Sequence, residues 1–250
     1  MNISGNTIFI PGATSGIGLA LALRLQERGN TVIVGGRRED RLAAIADGHP
    51  EIHTVRIDTT ETSSIDDAAA TVLAAHPGLN VLITMAGVMR AEDWSTPSGF
   101  LPIAEETVVT NILGPIRLIE HLRAQEEATI MTVSSGLAFA PLRVTPTYNA
   151  SKAAIHMLSE SLRLQLAGSS VSVLELEPPA VRTALMPGHE DNESAMPLDE
   201  FIDEVMALIE SQPDATEIQV ERVKFLRSGE ARGDYEQVVA TLNRTDPHGR

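Results

Sequence analysis

The stretch Thr7-Ile8-Phe9-Ile10-Pro11-Gly12-Ala13-Thr14-Ser15-Gly16-Ile17-Gly18 decides how the rest of the chain is read. A short β-type run ends at Pro11-Gly12. Helical spacing then begins, with Ile17, Ala20, Leu21 and Leu25 on one face between Ile17 and Arg28. A strand that enters a helix through a glycine-rich turn is the context in which glycines cradle phosphate. Gly12 permits the sharp turn, Gly16 lets backbone approach a pyrophosphate, and Gly18 lets helix and sheet pack closely. The N–H groups of the turn, which includes Thr14, Ser15 and Ile17, and the positive end of the helix favour an anion. The spacing G-x-x-x-G-x-G differs from the usual dinucleotide fingerprint, and no Gly-Lys-Ser/Thr follows that would make it a P-loop.

The same alternation continues outward. Strands are expected at 7–10, 31–34, 52–57, 80–84, 128–133 and 171–176, with a last short one at 217–220. Helices are expected at 17–28, 39–46, 64–75, 103–124, 147–166 and 198–210. Such alternation predicts an α/β doubly wound Rossmann fold, a parallel sheet of mostly seven strands with helices on both faces. No composition shift divides residues 1–250, so one domain is expected. Ala184 to Pro197 lacks periodicity, and the region 184–200 reads as a substrate lid.

Composition narrows the function. The 250 residues are 43% hydrophobic, enough for a sizeable core. Lys plus Arg is 19 against 34 for Asp plus Glu, a net charge of −15 that disfavours nucleic acid and anionic membrane as partners. No cysteine is present, which excludes disulfides, thiol catalysis and Cys-ligated zinc. Met1 to Asn6 do not resemble a secretory leader, and no apolar run reaches the roughly 18 residues of a membrane helix. A soluble cytoplasmic protein is expected.

The end of the second strand selects the dinucleotide. An acidic residue there would bind the ribose hydroxyls of NAD. The sequence instead reads Val34-Gly35-Gly36-Arg37-Arg38, and guanidinium binds phosphate bidentately. NADP(H) is therefore expected, its 2′-phosphate on Arg37. Arg38 fits either the same role or a solvated helix surface.

Chemistry is suggested by Tyr148 and Lys152, four apart at the start of a long helix and so on one face. With two tyrosines and two lysines in the chain, chance gives such an i,i+4 pair on the order of 0.02 times. Ser135 ends the fifth strand, where parallel sheets present ligand-facing residues. Pro141 and Pro146 mark the intervening segment as a loop, which would let Ser135 fold back against Tyr148.

The glycine turn, Asn111 in Thr110-Asn111-Ile112, Ser134-Ser135 and Tyr148-Asn149-Ala150-Ser151-Lys152 together resemble the short-chain dehydrogenase/reductase family. Ser134 to Pro141, Pro178-Pro179-Ala180-Val181-Arg182-Thr183 and Ala195 to Phe201 resemble its DltE-like bacterial branch. The resemblance implies that Tyr148 is the general acid/base. Lys152 would lower its pKa and hold the nicotinamide ribose, and Ser135 would bond the substrate oxygen. For Asn111 it implies a water-mediated proton relay; satisfying a helix broken before Gly114-Pro115 is a second role that fits. It further places Asp58 and Thr59 near the adenine, Ala86 and Gly87 beside the cofactor, and Pro178, Val181 and Thr183 at the nicotinamide end. A homodimer or homotetramer built on the helices of Asn111 and Tyr148 is implied too.

Two positions depart from the family. Thr84-Met85 stands where Asn-Asn is usual, and Pro11 stands where Thr is favoured, which removes one N–H beside the turn. The seven histidines, His156 among them, show no metal spacing, so no metal is expected and surface or cap roles are. Met85, Met89, Met157, Met186 and Met196 suit an adaptable apolar pocket or ordinary core. The leading functional reading is an NADP(H)-dependent oxidoreductase interconverting a carbonyl and a secondary alcohol on a small, apolar substrate. A non-catalytic NADPH-binding regulator and an epimerase or dehydratase are the alternatives.

Overall fold

The structure is a computed structural model that describes residues 1–122 and 127–244. Seven parallel strands form one sheet: β1 Thr7–Pro11, β2 Thr31–Gly36, β3 Ile52–Arg56, β4 Val81–Thr84, β5 Thr129–Val133, β6 Ser172–Leu176 and β7 Glu217–Ile218. Their order is β3-β2-β1-β4-β5-β6-β7, so the winding reverses between β1 and β4. In open α/β sheets ligands bind outside the carboxyl ends of the strands at that reversal. This is the expected doubly wound Rossmann architecture.

Helices cover both faces. On one lie α1 Gly16–Glu27, α2 Glu39–Gly48 and α7 Leu198–Ser211, whose Leu21, Leu25, Phe201 and Val205 pack on Ile8, Ile10 and Ile83. On the other, α3 Thr62–Ala75 and α5 Gly114–Leu122 bury Ile65, Val72 and Leu118 against Phe9, Leu82 and Ile130. A central strand therefore buries both its odd and its even residues, which is why β1, β2 and β4 read as continuous apolar runs rather than alternating ones. Each fully buried Leu, Ile or Phe contributes about 1.5–3 kcal/mol.

The helix expected at 103–124 is three segments. α4 Leu101–Val108 leads into a π-helical turn, Val109–Leu113, and then α5. Pro115 has no N–H to continue the regular ladder, and the wider turn accommodates the break. Arg123 and Ala124, the end of that expected helix, lie outside the described residues. α6 Pro146–Gln165 starts on a proline at its first position, where the missing donor costs nothing.

The chain after β7, shorter than expected, forms three more helices, α8 Lys224–Arg227, α9 Gly229–Arg232 and α10 Tyr235–Arg244. They brace the loop between β5 and α6. Asn243 of α10 accepts from the Arg143 N–H (2.7 Å) and donates to the Pro141 carbonyl (3.0 Å). Around the stretch expected to be a lid, Val181 bridges Met196, and the Met196 N–H donates to the Ala180 carbonyl at 2.8 Å. Among the described residues, no helix is long and apolar enough to cross a membrane.

Candidate active site

The glycine turn is shaped by close packing. Gly12 has φ +91°, a left-handed value that favours glycine, and a β-carbon there would run into the Ala86 backbone. A β-carbon on Gly18 would meet Ala13 and the side chain of Met85, so Met85 fills space against the turn. Gly16, φ +57°, faces Thr183. Pro11 lies within β1, paired with Gly35. The ladder is carried forward by Gly12, whose N–H donates to the Gly35 carbonyl at 2.8 Å.

The amino end of α1 carries no acidic residue in its first turn, and the Ser15 side chain makes no capping bond. A helix leaves its first N–H groups without helical partners, so this end is suited to an anion. Arg38 closes over it, donating from Nη2 to Thr14 Oγ1 (2.9 Å) and Ser15 Oγ (3.5 Å). Arg38 is exposed at the start of α2 and also bonds to the turn, so both readings of it fit. Burial, Arg41 and Arg37 all disfavour its charged form, so positive charge is concentrated here. Arg37 reaches the other way and lies 3.9 Å from Asp58 Oδ2. Asp58 Oδ1 in turn accepts from the Thr60 N–H and hydroxyl, fixing the strand end next to Thr59. A cationic turn with N–H groups to spare, packed on Ala86, fits a dinucleotide phosphate, and Gly87 next to it faces Asn111 and Lys152.

Beyond Gly87 the polar side chains converge. Tyr148, Asn149, Ser151 and Lys152 are buried on α6, and Ser135 follows β5 in extended backbone. The Ser135 side chain accepts from the Leu137 N–H at 3.1 Å and donates to the Pro178 carbonyl at 3.5 Å, and it favours the charged form of the Tyr148 phenol. Lys152 Nζ lies 5.5 Å from the centre of the Tyr148 ring and donates to the Val133 carbonyl at 2.8 Å. Burial pushes the Tyr148 phenol up to about 12, opposed by the polar influence of Ser135. Burial pulls the Lys152 ammonium down to about 8, opposed by the carboxylate of Glu175.

Asn111, in the π-helical turn, accepts from the Val88 N–H (2.8 Å) and donates to the Val88 carbonyl (2.9 Å) and Ser151 Oγ (3.1 Å). Its amide thus anchors the segment after β4 to α6. Thr84 is almost wholly buried and reaches the Met131 carbonyl at 3.5 Å, so this one hydroxyl still ties β4 to β5.

The methionines separate by role. Met89 and Met186 are buried with Leu142 against Tyr148, on the side where a substrate would sit. Met85 and Met196 pack with the sheet core, and Met157 is exposed. Sequence reasoning missed two acidic residues near the site. Glu92 Oε2 accepts from Thr147 Oγ1 and Trp94 Nε1, both at 2.7 Å, beside the start of α6. Glu175, in the apolar run of β6, is fully buried. An acid inside a strand that is otherwise Val, Leu and Leu was the available signal. The expected surface or cap role fails for His156, which hydrogen-bonds Glu175 in a largely buried position.

A family model described as short chain dehydrogenase matches residues 6–194. The uncharacterized oxidoreductase DltE of Bacillus subtilis is 37% identical over 252 residues, covering 97% of this chain and 98% of that protein. Among solved structures, a short chain dehydrogenase from Burkholderia cenocepacia in complex with NADP superposes with a TM-score of 0.82 at 25% identity, covering 97% of this chain and 99% of the other. A 3-ketoacyl-(acyl-carrier-protein) reductase from Brucella melitensis complexed with NADH gives 0.73 at 21% identity, covering 83% and 91%. The chain belongs to the short-chain dehydrogenase/reductase family. It is an oxidoreductase of that family and is similar throughout its length to the DltE protein.

Proposed function

We propose that this protein is an NADP(H)-dependent oxidoreductase that interconverts a carbonyl and a secondary alcohol on a small, apolar substrate. The observation that carries the reading is the convergence of Ser135, Tyr148 and Lys152 at the carboxyl edge of the sheet, between the glycine turn and the buried apolar cluster of Met89, Leu142 and Met186.

When bound, the nicotinamide supplies or accepts the hydride. The glycine turn, Ala86 and Gly87 would hold the pyrophosphate and nearby ribose, with Asp58 and Thr59 toward the adenine. Arg37 and Arg38 would hold the 2′-phosphate, and Lys152, Pro178, Val181 and Thr183 the nicotinamide end. The chain's own groups manage the proton. In the reductive direction Ser135 hydrogen-bonds the substrate oxygen, and Tyr148, protonated near neutrality, gives its phenolic proton to that oxygen as an alcohol forms. In the oxidative direction the phenolate removes the alcohol proton, and the Lys152 ammonium beside it stabilises that anion. Ser135 stabilises charge that develops on the oxygen.

A neutral, apolar substrate suits a site bordered by two methionines and a leucine, whose soft side chains adapt to shape. Val108, Leu113 and Ile116 on the α4–α5 segments and Met157 and Leu164 on α6 leave apolar side chains in solvent. Such a surface supports self-association, as a homodimer or homotetramer, across these helices. The test is NADPH consumption against a panel of apolar ketones and aldehydes. Turnover of some of them is expected. Tight NADPH binding with no turnover on any carbonyl or alcohol would overturn the reading.

A further inference from the structure

Ser135 sits on a turn that the last part of the chain grips. The base of the turn is held from the sheet, where the Ser134 N–H donates to the Leu176 carbonyl at 3.0 Å and Ser134 Oγ to Glu175 Oε1 at 2.5 Å. The Pro178 carbonyl then accepts from the Gly136 N–H at 2.9 Å and from Ser135 Oγ at 3.5 Å. The turn closes at Phe139, whose N–H donates to the Gly136 carbonyl at 3.1 Å. Gly136 has no room for a side chain, because a β-carbon there would lie 2.8 Å from Leu226 of α8 and 3.0 Å from Val223 just before that helix. Leu226 and Val238 of α10 form one buried cluster with Ala140.

Arg227 of α8 reaches both halves of this arrangement. Its guanidinium lies over the Phe139 ring, 4.2 Å from the ring centre. Its Nε is 3.4 Å from Glu177 Oε2, and its Nη2 is 3.4 Å from Glu217 Oε2. Glu177 is fully buried and immediately precedes Pro178, whose carbonyl accepts from Ser135. Gln219 donates to Glu177, and Arg163 lies 3.8 Å from Glu217, so both carboxylates are held from other sides as well. The Phe139 ring also meets that of His156 edge-on, and His156 hydrogen-bonds Glu175. A guanidinium suits this place because its flat face stacks on a ring while its rim presents N–H groups to carboxylates. A lysine would keep the charge and lose both the flat face and the rigid fork. Arg227 thus joins the residue that ends the turn to the residue that precedes its carbonyl anchor.

Resting on the function proposed above, we infer that Arg227 is a positioning residue: it clamps Phe139 to Glu177 across the Ser135 turn and so fixes where the Ser135 hydroxyl meets the substrate oxygen. It acts through the turn and not on the substrate. The Ser135 hydroxyl is bonded only to the turn's own Leu137 N–H and to the Pro178 carbonyl among the described residues, so a shift of either side re-aims it. A donor's aim matters most where charge develops on the reacting oxygen, so the effect belongs to the chemical step. An Arg227 that merely tied α8 to β7 would loosen the terminal helices when replaced and leave the Ser135 turn as it was.

Arg227→Lys is read first without any turnover, which separates this inference from the oxidoreductase reading. Amide hydrogen exchange at Gly136 and Leu137, whose N–H groups are bonded to Pro178 and Ser135, should speed up by about tenfold or more, with exchange in β1 unchanged. Wild-type rates at these two amides, wherever else exchange rises, would overturn the clamp. In the reductase assay kcat of Arg227→Lys should fall by about tenfold while the KM for NADPH stays within about twofold. In a Ser135→Ala background the same substitution should cost less than about twofold, because the group it positions is gone. Equal losses in the two backgrounds would mean that Arg227 does not act through Ser135. If Arg227→Lys does not fold, Glu177→Gln decides, since it cuts the other arm of the clamp and leaves the guanidinium on Phe139. The same two amides should then exchange faster by about threefold or more, and no change at either would sink the inference.

Discussion

Asn111 and Val88 exchange two hydrogen bonds: the asparagine oxygen accepts from the Val88 N–H and its amide nitrogen donates to the Val88 carbonyl. A side chain from a π-helical turn therefore completes the backbone pairing of the segment that follows β4. Asn111→Ala would strand both backbone groups in a buried place, and each costs about 1–3 kcal/mol when unpaired. Chemical denaturation should show a loss of about 2–5 kcal/mol, besides any loss of rate. An unchanged midpoint would confine Asn111 to chemistry alone.

Tyr148→Phe removes the proton donor and leaves the ring in place among Met89, Leu142 and Met186. The rate of carbonyl reduction should fall by about 10²–10⁴, the range of general acid catalysis. NADPH affinity measured by fluorescence should stay within about twofold. Retained turnover would remove Tyr148 as the acid.

Arg37 and Arg38 point to different ends of one binding face, so their alanine variants should not behave alike. Arg37→Ala should weaken NADPH by about ten- to a hundredfold, the worth of one charged hydrogen bond, and leave NADH nearly unchanged. Arg38 also holds Thr14 and Ser15, so Arg38→Ala should weaken both dinucleotides. Calorimetric titration with each dinucleotide checks this. Equal losses for both in Arg37→Ala would refute the assignment of the 2′-phosphate.

Lys152 carries a cost to the fold. Its folded pKa, about 8, lies below the ordinary 10.5, so the unfolded chain holds the proton more tightly. The full penalty is present below pH 8, and wild-type stability gains between about pH 8 and 10.5 as the folded protein sheds that proton. Lys152→Met should be inactive yet at least as stable as wild type at pH 7, and the gap should narrow toward pH 10. Paired denaturation curves at the two pH values measure it. A gap that widens would mean that the buried amine is not the source.

The fold was legible because both-face burial turns strands into unbroken apolar runs, and because Gly29 and Pro146 mark helix boundaries plainly. The spacing of Tyr148 and Lys152 was legible for a simpler reason, since four residues on a helix share a face. What escaped depended on partners far apart in sequence. Glu175, His156 and Arg227 become one network only when β6, α6 and α8 meet, and no local pattern signals it. α8 and α9 escaped because each is only four residues long, whereas α10, with Val238, Val239 and Leu242 at helical spacing, carried a signal that went unread. Arg38 was ambiguous in one dimension because a helix start is also where surface arginines stand.

The bridge between Val181 and Met196 makes the chain between them a loop with fixed ends. Residues can be added to or removed from its exposed part without disturbing the strands, whereas Met186 within it packs against Tyr148. On the function proposed above, exchanging this loop for that of a relative is expected to change which carbonyls are accepted.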